Sequence, residues 1–171
     1  MIAIRPETPE DHPHVRDVNE QAFGQAVEAD LVDRLRKACP DTLSLVADDE
    51  GRIVGHIFFS PVAIDGAGRR MQGMGLAPMG VRPDRQKQGI GSALVKNGLE
   101  ILRDRGCPFV IVLGHPGYYT RFGFEPASKR NLTSQWEGVP DEAFMVLVLG
   151  EEGMQGVSGV ARYRGEFDEA V

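Results

Sequence analysis

Hydrophobic and polar positions change period several times along the chain, and each period predicts an element. In MIAIRP, Ile2 and Ile4 share one side of a two-residue repeat that Pro6 ends, which predicts a short first strand. The block TPEDHPHVRDVNEQAF switches to helical spacing, with Val15, Val18 and Ala22 at i, i+3 and i+7. Thr8 or Asp11 can cap this helix. Pro13 favours the later start, because proline is harmless only in a first turn. After Gly24, a second helical stripe runs through Val27, Leu31, Leu35 and Ala38 with charges opposite, and Pro40 stops it.

TLSLVADDEGRIVGHIFFSPVAID predicts two strands joined at Asp49-Glu50-Gly51, where glycine can supply a positive φ. His56 falls mid-strand, packed against the sheet. MQGMGLAPMGV is a further extended segment, and Pro78 inside it predicts an edge, a bulge or a place where the sheet opens. From Ile90 the spacing is helical again, with Ile90, Ala93, Leu94, Ile101 and Leu102 on one side and Lys96, Glu100, Arg103 and Asp104 on the other. Gly106 supplies the stop, and Pro108 follows. FVIVLG has the continuous apolar character of a strand buried on both faces. HPGYYTRFGF reads as a turn or at most one helical turn, EPASKRNLTSQWEGVPDE as a long polar connection, AFMVLVL as a strand, and Val157–Tyr163 as a short strand in the tail.

The order predicts a mixed α/β fold, with one strand–helix–strand crossover at Met71–Gly114. A length of 171 residues suits one domain with a single core. Hydrophobic residues at 42% and charged residues at 26% are ordinary globular proportions, so disorder is not expected. A net charge of -6 argues against nucleic acid as a partner, since such binding needs a basic stripe. There is no run of about 18 apolar residues, and the N-terminal stretch lacks the order of a signal peptide. No membrane partner and a cytoplasmic location are therefore expected. Cys39 and Cys107 give no disulfide framework, and the histidines and cysteines match no zinc spacing, so no metal is expected.

The chemistry concentrates in RPDRQKQGIGSAL, where two glycines stand at the junction of a polar loop and a helix. A helix N-terminus has unpaired N–H groups and a partial positive charge, and glycine lets an anion approach the backbone closely. The plainer reading makes Gly89 and Gly91 a flexible entry to a surface helix. A Walker A loop fails because Gly91 is followed by Ser92-Ala93 rather than Lys-Ser/Thr. A dinucleotide fingerprint fails because Leu94 stands where the third glycine belongs.

The pattern Gln86-x-x-Gly89-x-Gly91 resembles motif A of the GCN5-related N-acetyltransferase (GNAT) superfamily, and YYTRFGF, Tyr118–Phe124, resembles its motif B, Y-x-x-x-G-F. The stretches LSLVADDEGRIVGHIFFSPV, GLAPMGVRPDRQKQGIGSAL and VLGHPGYYTRFGFEPA resemble YhbS-type members. The resemblance implies a central mixed sheet of six to seven strands, splayed between the fourth and fifth and flanked by helices. It implies a GNAT domain over residues 1–149, with 150–171 as a C-terminal extension packed on or near it. The implied activity is acetyl transfer from acetyl-CoA to a primary amine of a small molecule or peptide, and a homodimer is an assembly seen among similar proteins. A catalytically silent coenzyme A-binding module is the alternative.

By the same resemblance, backbone at Gln86, Lys87, Gln88, Gly89, Ile90, Gly91 and Ser92 holds the cofactor pyrophosphate. Met79, Gly80 and Val81 meet the pantetheine and thioester, and Tyr119 takes the place of the tyrosine that protonates the departing thiolate. A packed core tyrosine is the plain alternative for Tyr119. The interval GHPGY lacks an asparagine that many members carry before that tyrosine, which leaves the role of His115 open between base, relay and loop cap. Glu28, in the second helix, is a candidate base because family acceptor sites are lined by the first two helices; a solvated charge on a helix face is the competing reading. Trp136 either packs in the core or covers the acceptor site, and Cys107 reads as structural.

Overall fold

A computed structural model describes residues 1–66 and 69–170. The chain divides into two compact units, Met1–Ser60 with Ala77–Gly98 and Gly165–Val171, and Pro61–Leu76 with Leu99–Arg164.

In the first unit, β1 (Ile2–Pro6) pairs antiparallel with β2 (Leu43–Asp49), from Ile2 opposite Asp49 to Pro6 opposite Leu45. The β2 strand pairs antiparallel with β3 (Arg52–Gly66), with a bulge between Ala47 and Asp48. Their turn places Glu50 and Gly51 at positive φ, 51° and 96°, as the Asp49-Glu50-Gly51 signal predicts. The chain enters α1 (His12–Phe23) through a 3-10 turn at Pro9–Asp11. Thr8 and Asp11 form a capping box on that turn, in which the Thr8 N–H donates to the Asp11 carboxylate at 2.7 Å. Asp11 then stands at the N-cap position of α1 without a side-chain cap bond to it, and Pro13 stands in the first turn of α1. Gly24, at φ 70°, closes the helix, and α2 (Val27–Ala38) follows.

Helices cover both faces of this part of the sheet. Alternation along β3 puts Gly55, Ile57 and Phe59 on one side and His56, Phe58 and Ser60 on the other. The helix α3 (Ile90–Asp104) sits on the Gly55 side: a Cβ on Gly55 would lie 3.0 Å from Ile90 Cγ2, and one on Gly98 would lie 2.5 Å from Phe59 Cε2. The α1 helix lies on the His56 side, where Asn19 reaches the imidazole. Val18, Leu35, Leu45, Ile57, Phe58, Phe59 and Leu94 are fully buried in this core.

The β4 strand (Arg69–Val81) has its first part in the second unit, where it pairs in parallel with β5 (Phe109–Leu113) at Met74–Val110 and Gly75–Ile111, and it runs on through Pro78 to Val81 in the first. On its other side, β5 pairs antiparallel with β8 (Phe144–Val148) over all five residues. Among the described residues, the sheet is mixed and mostly antiparallel, with nine strands against the six to seven expected. The additions are short: β6 (Glu125–Pro126) pairs with β8, and β7 (Leu132–Ser134) pairs in parallel with β9 (Gly159–Tyr163). Both β6 and β7 fall in the stretch expected to be one polar connection. A two-turn element, α4 (Pro116–Tyr119) continued by a 3-10 turn at Thr120–Phe122, leads into β6, and α5 (Glu151–Met154) precedes β9.

Candidate active site

The cofactor candidates and Glu28 all belong to the first unit, and Tyr119 and His115 to the second. Within the first unit, Met79, Gly80 and Val81 close β4, and Gly80 is buried against α1. A Cβ on Gly80 would lie 3.0 Å from Ala22 Cβ and 3.3 Å from Asn19 Oδ1. The strand end is anchored by the next residue, Arg82. Its backbone N–H donates to Val54 O at 2.9 Å, its Nε donates to Ile53 O at 2.7 Å, and its guanidinium pairs with Asp17 at 2.7 Å. That hydrogen bond holds the Asp17 carboxyl below its ordinary range despite the opposing effect of burial.

The loop from Gln86 to Gly89 is exposed. Gln86 folds back, its Nε2 donating to Val81 O at 3.1 Å, so the loop is tied to the end of β4. Arg85 braces it from below by pairing with Asp49 at 2.8 Å and donating to Gln88 Oε1 at 3.2 Å. Lys87 and Gly89 adopt positive φ, 62° and 82°. Gly89 has nothing within 4 Å of where a Cβ would point, so glycine is required there by conformation and not by a steric neighbour. The first α3 hydrogen bond runs from Ala93 N to Gly89 O at 3.0 Å. The amides of Ile90 and Gly91 precede it and have no carbonyl a helical turn back to bond. Ser92 follows them, half-buried.

Glu28 stands in the first turn of α2, where Gln25 Nε2 donates to both carboxylate oxygens at 3.1 Å. In the second unit, His115 precedes α4 and is exposed; its carbonyl accepts the N–H groups of Tyr118 and Tyr119 at 3.1 Å, an N-terminal capping position. Tyr119 is half-buried among aromatic rings, with Tyr118 at 5.0 Å and Phe124 at 5.7 Å, both edge-on. Burial, then the neighbouring Tyr118, pushes the Tyr119 phenol up to about 12. Trp136 is half-buried against Tyr163, with ring centroids 4.9 Å apart. Cys107 is held above its ordinary thiol range by burial, which suits a structural role. Among the described residues, no group of three or more His, Cys, Asp or Glu is placed to hold a metal ion, and no helix is long and apolar enough to cross a membrane.

One polar network had no place in the sequence reading. Asn19 donates through Nδ2 to Val15 O and to His56 Nδ1, both at 3.1 Å, and His56 Nε2 meets Ser44 Oγ at 2.9 Å. Burial first, then Arg36, lowers the His56 pKa to about 3, so the ring is neutral and carries its proton on Nε2. Asn19 Oδ1, left buried and unpartnered, faces Gly80. The available signal was a polar residue at i+4 from Val15 on the apolar stripe of α1.

Residues 3–127 match the acetyltransferase (GNAT) domain. The chain belongs to the GNAT acetyltransferase family. This GNAT chain is 39% identical over 168 residues to the uncharacterised N-acetyltransferase YhbS of Escherichia coli K12, a match covering 98% of this chain and 99% of that protein. Its fold matches the crystal structure of E. coli YhbS in complex with CoA, with a TM-score of 0.90 and 38% identity over 98% of this chain and 92% of that one. It also matches a GNAT family acetyltransferase from Brucella melitensis in complex with acetyl-CoA, with a TM-score of 0.79 and 38% identity over 98% and 99% of the two chains.

Proposed function

We propose that this chain transfers the acetyl group of acetyl-CoA to a primary amine of a small molecule or peptide by direct attack in a ternary complex. The observation that carries this reading is the near-full-length similarity to a GNAT protein crystallised with CoA, taken with the exposed, glycine-shaped loop at the start of α3. The residues fit the ligand. The two helix-start amides and the open space at Gly89 suit a pyrophosphate, and the exposed Lys87 adds a positive charge beside them.

In this reading the amides from Gln86 to Ser92 hold the pyrophosphate, and Met79, Gly80 and Val81 present backbone to the pantetheine arm. The amine nitrogen adds to the acetyl carbonyl carbon, and the carbon–sulfur bond breaks as the resulting tetrahedral species collapses to the amide. A backbone N–H near Gly80 stabilises the oxyanion, and no enzyme nucleophile takes part. Tyr119, protonated throughout the neutral range, gives its proton to the departing thiolate. A phenol at about 12 is a weaker acid than an ordinary tyrosine, so its contribution belongs at the low end of the usual range. The proton lost by the amine goes to Glu28 or His115, directly or through water. Residues 1–149 form the catalytic domain in this reading, with 150–171 as its extension.

Calorimetric titration with acetyl-CoA tests the cofactor assignment. Wild type should bind, and Gly89→Val should lose at least about tenfold in affinity, because a β-branched residue resists φ of 82°. Equal affinity in both proteins would reduce the loop to a turn.

A further inference from the structure

Four elements of the first unit, β2, β3, α1 and β4, meet along one buried polar chain. Val15 and Val18 are buried on the inner face of α1, and Asn19 stands beside them with no exposed surface. An apolar side chain there would avoid the desolvation that a buried amide costs. Both amide hydrogens are committed, one to Val15 O and one to His56 Nδ1, each at 3.1 Å. Turning the amide over would set Oδ1 against the Val15 carbonyl, acceptor against acceptor, so the side chain has one orientation. His56 is buried as completely and is fixed in turn. Its Nδ1 accepts, so its Nε2 carries the proton that Ser44 Oγ accepts at 2.9 Å.

This orientation aims Asn19 Oδ1 at Gly80, 3.3 Å from where a Cβ would stand, and leaves it buried without a donor. An acceptor in that state costs stability, while a buried polar network fixes a single core arrangement. Ala22 presses on the same point, its Cβ 3.0 Å from that position, so α1 lies hard against the end of β4. Two residues further along the strand the helix takes hold again, where Asp17 pairs with Arg82 at 2.7 Å. The Arg82 Nε is bound to Ile53 O on β3, so this second grip is anchored to the sheet.

We infer that Asn19 is a positioning residue for acetyl transfer: held by His56 and Ser44, it sets the approach of α1 to β4 and so places the Gly80 backbone at the thioester. The role rests on the acetyl-transfer reading, which supplies the place of Gly80. It requires no contact between Asn19 and the cofactor or acceptor, because Asn19 acts through the strand.

Replacing both partners at once tests the role without leaving an orphaned polar group between them. Asn19→Leu/His56→Leu should stay folded, with a urea midpoint close to wild type. It should bind CoA within about twofold of wild type in calorimetry, because the α3 loop is untouched. Its kcat should fall about tenfold, and the amide resonance of Gly80 should move while that of Gly89 stays. The single variants His56→Asn and His56→Leu carry the same comparison with one substitution. The Oδ1 of His56→Asn can stand where Nδ1 stood and accept from Asn19, so kcat should stay within about threefold of wild type. His56→Leu leaves Asn19 unheld and should lose about tenfold. A folded double variant with kcat within about twofold of wild type, or with an unmoved Gly80 amide, overturns the role and leaves Asn19 to packing. The two failures separate at the wild type: a wild type that releases no thiol with any amine overturns the acetyl-transfer reading and the role with it, whereas an active wild type with equally active variants overturns the role alone.

Discussion

The ring of Tyr119 lies directly against the backbone of Gly114, so closely that a Cβ on Gly114 would sit 2.6 Å from Tyr119 Cε2. Glycine at 114 therefore sets where the candidate acid's ring can lie. Gly114→Ala should push the ring aside, lowering kcat about tenfold, since sub-ångström to ångström misplacement of a catalytic group carries penalties of this order. Steady-state kinetics and an acetyl-CoA titration check this: kcat should fall while cofactor affinity stays within about twofold. A cofactor affinity that falls in parallel with kcat would mean a wider disturbance than displacement of one ring.

Removing the hydroxyl tests Tyr119 itself. Tyr119→Phe keeps the packing against Phe124 and Tyr118 and should lower kcat roughly 10- to 100-fold, with KM for acetyl-CoA little changed. Because burial raises the phenol to about 12, any alkaline limb of the wild-type pH–rate profile below about pH 10 should persist in Tyr119→Phe. Loss of that limb in the variant would assign it to Tyr119 and contradict the raised value.

Much of this arrangement was legible in the sequence because the signals are local. Pro13 marks the first turn of α1, Gly24 its end, and Gly89-Ile90-Gly91 the start of α3. The motif A and motif B spacings single out the loop and Tyr119 as candidates, because both spacings are short. What stayed hidden depends on approach between distant or very short segments. The β6 and β7 strands have two and three residues, too few to show alternation. The Asn19–His56 contact joins residues on different elements, and nothing in a polar residue on a helical stripe announces its partner. Gln86 matches a cofactor motif, yet its side chain turns back five residues to the Val81 carbonyl, a choice made by the backbone path of the loop rather than by the motif.

The buried imidazole predicts an acid-sensitive fold. The folded-state pKa of His56 is lowered to about 3 from 6.5, so the unfolded chain takes up this proton first as pH falls. Its stabilising contribution is complete above pH 6.5 and is lost progressively toward pH 3. Between pH 6.5 and 4.5 the loss should reach about 2 kcal/mol. Urea unfolding at pH 7 and pH 4.5 checks this, with His56→Gln expected to lose correspondingly less stability over the interval. Equal losses in both proteins would show that His56 accepts its proton without unfolding.

The two candidate bases separate by substitution. If Glu28 takes the amine proton, Glu28→Gln should lower kcat at least about tenfold and flatten the acidic limb of the pH–rate profile, while His115→Ala changes kcat less than about twofold. The reverse pattern assigns His115. Near-wild-type kcat in both variants would indicate that the acceptor amine is deprotonated without help from either residue.

Amine-dependent release of the CoA thiol is the decisive measurement of acetyl transfer. Acetyl-CoA is mixed with the protein and a panel of amino acids, polyamines, aminoglycosides and peptide N-termini, and thiol release and acetylated product are measured together. At least one amine should give thiol and acetyl-amine in equal amounts, with initial-rate lines that intersect as a ternary complex requires. Saturable acetyl-CoA binding with no amine-dependent release across the panel would contradict the account and leave a coenzyme A-binding module that performs no transfer.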